Sequence, residues 1–279
     1  MDSCGHRVHW NSVSGYWDLL GPPLRPSPED IAIIRDALLR LAVRSPQRAY
    51  RVIQWGVTPE LALMDWPEGT ELLAIDRAEE MIATVWPGDV PGFRRAVQGE
   101  WSDSPRFAGD ACDLIIGDGS LNSTRYPSEF RELTQAARDS LRPEGLVIMR
   151  LHAAPEAREE PETVVEDLLE RKIGSFHAFK LRFAMALQAS PQAGIEIGRI
   201  WEAWRSFGID EGELAASTGW DARVIGAIHL YRDKQGKYFF PTLDQHLAIF
   251  RETLRLLEVR IPGYEIGDRR PIVVLARGD

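Results

Sequence analysis

Apolar and polar positions along the chain fall into several successive patterns. Ile31, Ile34, Leu38 and Leu41 recur at helical spacing and predict an amphipathic helix running to about position 43. Ser27 stands where an N-cap belongs, Pro28 at the first helical position, and Glu29 and Asp30 in the first turn, where negative charge suits the helix dipole. From position 51 the pattern changes to short apolar runs alternating with helical stretches, as in βαβ units around a parallel sheet. Strands are predicted at 51–55, 72–75, 94–97, 113–117 and 146–151, with helices between them at 59–64, 78–85 and 127–141. The alternation breaks between 155 and 235, where Phe176, Phe179, Phe183 and Leu187 form one helical stripe and Ile197, Ile200, Trp201 and Trp204 another. Such stripes either pack helix on helix or form the inner face of a lid over a substrate pocket. At the end, PTLDQHLAIFRETL predicts a helix begun at Pro241 or Thr242. Two strand candidates follow, joined by a link too short for a parallel crossover, so they are expected to pair antiparallel.

These patterns imply an α/β chain with four parts: an N-terminal aromatic segment and helix over 1–45, an α/β core over 46–154, a helical insertion over 155–235, and a helix with a strand pair over 236–279 that completes the core. A chain of 279 residues and 31.5 kDa is long enough to bury such a core. Its formal charge of −9 disfavours phosphate backbones as partners, and no local run of basic residues offsets it. A small molecule is the expected partner. Homodimerisation is left open.

Cys4 and Cys112 have no metal-ligand or disulfide spacing and read as free thiols. His177, His229 and His246 show no paired spacing that argues for a metal. The first residues lack a secretory pattern and no apolar run is long enough to span a bilayer, so a cytoplasmic protein without a membrane partner is expected.

The stretch RVIQWGVTPELAL carries the first chemical signal. It reads as a strand, Gly56 at the strand's carboxyl end, then a helix capped by Thr58 and begun by Pro59. About twenty residues later ELLAID ends a second strand on Asp76, placed to accept hydrogen bonds from ribose hydroxyls at the carboxyl edge of a parallel sheet.

The order of these elements resembles the class I S-adenosylmethionine-dependent methyltransferases over about 50–151 and, more weakly, 238–279. The resemblance implies a Rossmann-like, doubly wound, mostly parallel seven-stranded sheet with an antiparallel last strand and a helical insertion, and S-adenosylmethionine as cofactor. It implies that Gly56, Val57 and Thr58 form the loop beside the methionine part and that Asp76, next to Arg77, holds the ribose. Glu100 and Trp101 in VQGEW would meet the adenine. Gly117 and Asp118 in DLIIGDGSLN would lie beside the transferred methyl, and LRPEGLVIMRL is similar to the family's turn and fifth strand. A family acid within the first strand is Gln54 here, and the second and third loop glycines correspond to Thr58 and Glu60. The loop GVTPEL must therefore turn at Gly56 and Val57 and present helix N-terminal amides to the cofactor's carboxylate, with Glu60 facing away.

Methyl transfer asks mainly for positioning, and a base only where the acceptor must lose a proton. Asp118, Tyr126 and His152 are the candidates at the sheet's carboxyl edge, and histidine has the best-suited ordinary pKa. Trp10, Tyr16 and Trp17 either fold over the cofactor or substrate or pack against the sheet. The expected activity is methylation of a small-molecule acceptor. Its rivals are a non-catalytic protein of the same fold, suggested by the missing glycines, and a nicotinamide dehydrogenase, which would need the G-x-G-x-x-G loop that GVTPEL lacks.

Overall fold

The computed structural model describes residues 9–10, 14–44, 49–109 and 111–278; Cys4 lies outside them. An N-terminal helix, α1 (Pro28–Arg44), precedes the sheet. Its start is a reciprocal cap: Ser27 N donates to Asp30 Oδ2 at 2.7 Å while Asp30 N donates to Ser27 Oγ at 3.2 Å. The chain then runs through β1 (Arg51–Trp55), α2 (Pro59–Ala62), β2 (Glu71–Asp76), α3 (Glu79–Thr84), β3 (Arg94–Gln98), α4 (Ser104–Ala108), β4 (Cys112–Asp118), α5 (Ser128–Ser140) and β5 (Leu141–Arg150).

Next come α6 (Pro161–Leu169), α7 (Phe176–Leu187), the short β6 (Ile195–Glu196), α8 (Ile197–Ser206), α9 (Glu211–Thr218), α10 (Ala222–Gly226) and β7 (Lys237–Tyr238), which pairs antiparallel with β6. Helix α11 (Leu243–Phe250) and strands β8 (Leu254–Arg260) and β9 (Ile272–Arg277) close the chain. Thr242 caps α11 in a capping box with Gln245.

The seven-stranded sheet has the order β3-β2-β1-β4-β5-β9-β8. Strands β1 to β5 are mutually parallel, and β9 runs antiparallel to both β5 and β8. Neighbouring side chains along a strand point to opposite faces, so β1 sends Ile53 and Trp55 into one apolar layer and Val52 into the other. Helices α5 and α11 cover the first layer, and α1 covers the second. The chain winds outward from β1 through β2 to β3, then returns to β4 on the other side of β1. That reversal opens a crevice at the carboxyl ends of β1 and β4, where ligands bind in sheets of this kind.

Several elements depart from the sequence expectation: α4 is not among the expected helices, and α11 ends at Phe250 rather than 254. Helix α2 stops at Ala62 rather than 64: the Met64 N–H turns back to the Leu61 carbonyl at 3.4 Å, which also accepts from the Trp66 indole at 3.0 Å. Strand β5 begins at Leu141 rather than 146, with a bulge between the Cys112 and Leu114 positions of β4 absorbing the extra residues. Apart from Trp201, which bonds His229 at the surface, the aromatic stripes belong to a separate apolar cluster within 164–240, where Phe179 and Phe183 stack with ring centroids 5.2 Å apart and Trp204 is buried. Among the described residues no helix is long and apolar enough to cross a membrane.

Candidate active site

A cleft at the carboxyl edge of the sheet is lined on one side by Gly56, Val57, Thr58, Asp76, Arg77 and Trp101, which follow β1, β2 and β3. On the other side it is lined by α7 and by the segment before β7, with Lys180, Tyr231 and Tyr238. Asp118, Gly119, Ser120, Asn122 and His152 form the floor between them, and Trp10, Trp17, Leu24 and Arg25 the near wall. Trp10 and Trp17 thus face the cleft while also packing on the second apolar layer, whereas Tyr16 is exposed.

Gly56 has φ +89°, a conformation glycine adopts without strain, and its N–H donates to the Ile75 carbonyl at 2.8 Å. A Cβ built on it would stand 3.8 Å from Asp76 Oδ2, filling part of the space in front of that carboxylate. Behind the loop, fully buried Gln54 donates through Nε2 to the carbonyls of Gly56 and Thr58, both at 3.0 Å. Its amide holds the turn through carbonyls that an acid could not engage. The helix amides expected here are few: α2 has four residues, and Pro59 at its start carries no N–H. Glu60 does not line the cleft and pairs with Arg25, which does, at 2.6 Å.

Asp76 accepts from the Ala78 N–H at 2.8 Å, so it tethers the start of α3 and faces the cleft at once. Burial raises its pKa to about 6, against the opposing pull of the Ala78 amide, the Arg77 charge and the Val57 amide. Trp101 is buried, donates its indole N–H to the Ile75 carbonyl at 2.8 Å and stacks on Trp55 at 6.2 Å. The Arg77 guanidinium lies 5.3 Å from the Trp101 ring centroid and 3.7 Å from Glu100. Glu100 itself is exposed and does not line the cleft.

Asp118 Oδ1 accepts from Arg150 Nε at 2.7 Å and from Arg270 Nη2 at 3.0 Å. Serving as a base would require it to give up two guanidinium partners. Gly117 lies in β4 behind this edge, where a Cβ would meet Met149 Sδ at 2.6 Å. Gly119 has φ +61°, and a Cβ there would run into the His152 ring, so the backbone approaches the imidazole closely. His152 packs edge-on against Phe240, and its buried Nδ1 has no hydrogen-bond partner among the described residues. Burial, then the charges of Arg270 and Arg150, hold its pKa well below the ordinary value, so the ring is neutral at neutral pH.

Tyr126 does not reach the cleft. It is buried edge-on against Phe130 in the first apolar layer, and burial raises its pKa. Cys112 is buried and free, its thiol pushed up to about 12 by burial. Among the described residues no group of three or more His, Cys, Asp or Glu is placed to hold a metal ion.

Arg25, Lys180, Tyr231, Tyr238 and Phe240 also line the cleft and are not expected there from the sequence. Lys180 alone left a local signal, as a lysine inside the otherwise apolar run FHAFKL.

No protein-family model matches the chain, and no curated protein matches it in sequence. Solved structures match its fold. A Rhodobacter sphaeroides protein described as "Putative Zn-dependent Alcohol Dehydrogenases" gives a TM-score of 0.61 at 12% identity, over 98% of this chain and 99% of that one. PH0226 from Pyrococcus horikoshii OT3 gives 0.51 at 13% identity, over 95% and 99%. N-methyltransferase NodS from Bradyrhizobium japonicum WM9, in complex with S-adenosyl-L-homocysteine, gives 0.48 at 11% identity, over 96% and 100%. At these identities the likeness is one of fold. The shared fold is a Rossmann-like α/β sheet, mostly parallel, with a single antiparallel strand.

Proposed function

We propose that this protein is an S-adenosylmethionine-dependent methyltransferase acting on a small molecule. The observation that carries the reading is the pairing of Gly56 and Asp76 across the crevice mouth. A positive-φ residue without a side chain leaves open the space in front of a carboxylate at the end of β2, and a nucleoside needs that space. The cofactor supplies an activated methyl on a sulfonium that is already a good leaving group. Asp76 accepts from the ribose hydroxyls, and the Trp101 ring and Arg77 border the adenine. The backbone of Gly56, Val57 and Thr58 flanks the methionine part. Asp118 and Gly119 shape the floor beneath the reacting groups, and 155–235 serves as the wall of the acceptor pocket.

Titration with S-adenosyl-L-homocysteine in a calorimeter tests this reading. Saturable heat well below millimolar ligand supports it. No heat at millimolar ligand favours a non-catalytic protein of the same fold, a reading for which the four-residue α2 and its proline start speak.

His152 is the proposed base for an acceptor that must lose a proton, since it is neutral and lines the cleft floor. His152→Gln is expected to lower kcat by roughly 10² or more, the scale of a lost general base, with cofactor affinity unchanged. Because the folded-state pKa is depressed, the rate should show no histidine inflection between about pH 6 and 8. A clear inflection near the ordinary histidine pKa would assign the proton transfer to another group.

A further inference from the structure

The wall of the cleft formed by α7 contains a charge that no acid among the described residues neutralises. Lys180 projects from α7 into the cleft and is 2% exposed. Its Nζ lies 5.7 Å from the centroid of the Tyr231 ring, and no carboxylate among the described residues reaches ion-pairing distance of it. The acids that share the cleft are engaged elsewhere. Asp118 is held by two arginines, and Asp76 sits across the crevice by the Ala78 amide. Burial alone brings the Lys180 pKa down to about 8, with no neighbouring acid among its causes. Leu181, Ala184, Leu230 and Phe240 line the same wall beside the Tyr231 and Tyr238 phenols, and His177 is near enough to feel the Lys180 charge.

A buried ammonium without a counter-ion is costly, and chains keep one where a ligand brings the counter-charge. We infer that the acceptor is an apolar, ring-sized acid whose anionic oxygen sits on Lys180 Nζ. This inference rests on the methyltransferase reading for the word acceptor, though not for the binding itself. A charge-assisted hydrogen bond to the ammonium fixes one end of the molecule, the aromatic wall holds its body, and the other end is left toward the floor at His152.

Calorimetry with matched pairs tests this: 4-substituted benzoates against the corresponding benzamides, and 4-nitrophenolate against 4-nitroanisole, each with and without S-adenosyl-L-homocysteine. The wild-type protein should favour the charged member of a pair about tenfold or more. A preference among the benzoates identifies a carboxylate, and one confined to nitrophenolate an ionised phenol. Lys180→Met should abolish the preference, leave S-adenosyl-L-homocysteine binding unchanged and raise Tm, since it removes an unpaired buried charge; a merely structural lysine would lower Tm. Lys180→Arg, which keeps the charge, should retain the preference and stands in if the methionine variant does not fold. The inference is overturned if the wild type binds no acid, if it does not discriminate within pairs, or if Lys180→Met still does. An acid preference that depends on Lys180 but comes without any heat from S-adenosyl-L-homocysteine would leave this inference standing and remove the methyltransferase reading.

Discussion

Asp76→Asn is expected to make the ligand-free protein more stable at neutral pH while weakening its hold on S-adenosylmethionine. Burial raises the Asp76 pKa to about 6, above its unfolded value near 3.8. Between those two values the folded chain keeps a proton that the unfolded chain has released. The stability associated with that proton is full below about pH 4 and lost as pH rises through 6. At about 1.36 kcal/mol per unit the penalty above pH 6 is at most ~3 kcal/mol, and an uncharged amide escapes it. Asparagine can still accept from the Ala78 N–H through its side-chain oxygen, so the start of α3 stays tethered. In the complex the preference reverses. Ribose hydroxyls donating to the carboxylate favour its charged form, and losing one such bond costs about 1.5–3 kcal/mol of affinity.

Two measurements check this. Urea unfolding at pH 7 should show the asparagine variant above the wild type. Calorimetry in buffers of different ionisation enthalpy should show proton release when the wild type binds cofactor near pH 6, and none in the variant. Equal affinity in a folded variant would remove Asp76 from the site. A carboxylate retained at a cost to the free protein, and repaid on binding, is the pattern expected of a functional group.

Much of this site was legible in the sequence because its positions follow from the sheet. Buried parallel strands read as apolar runs, so Trp55, Asp76 and Asp118 could be assigned to strand ends, and strand ends point at the crevice. Position along the chain does not reveal where a side chain turns. Tyr126 and His152 both looked like edge residues, yet Tyr126 packs against Phe130 whereas His152 is pressed toward the cleft by the close backbone of Gly119. Glu100 follows the edge strand β3 and, unlike its buried neighbour Trp101, is exposed, 3.7 Å from Arg77. The acceptor wall was illegible for a different reason. Lys180 and Tyr231 are fifty-one residues apart by number and meet only because the insertion packs its own apolar cluster. Its stripes are core apart from Trp201, while the flank bearing Lys180, Leu181 and Ala184 faces the cleft.

The largest stability effect is expected at Arg150, which ties together four parts of the chain without exposing any of its surface. Its Nε donates to Asp118 at the end of β4, and its Nη1 to Asp30 in the first turn of α1 at 3.2 Å and to the Pro23 carbonyl at 3.1 Å. Tyr264, from the link between β8 and β9, donates to the same Asp30 at 2.9 Å. Arg150→Met keeps most of the volume but leaves Asp30 buried with only hydroxyl and amide donors and Asp118 with Arg270 alone. Arg270 is a poor substitute. Its buried Nε and Nη1 have no partner among the described residues, and burial brings its pKa down to about 9. Stranding buried carboxylates in this way costs about 3–5 kcal/mol, which denaturant unfolding at pH 7 would register as a lower midpoint with little change in slope. Adding Asp30→Asn removes one stranded charge, so the double variant should recover on the order of 1 kcal/mol or more relative to Arg150→Met. Additive losses would mean that the two side chains do not stabilise one another across this contact. The same substitution frees the Asp118 end of β4, so the Gly119 turn against His152 should loosen and turnover should fall even where the variant is fully folded.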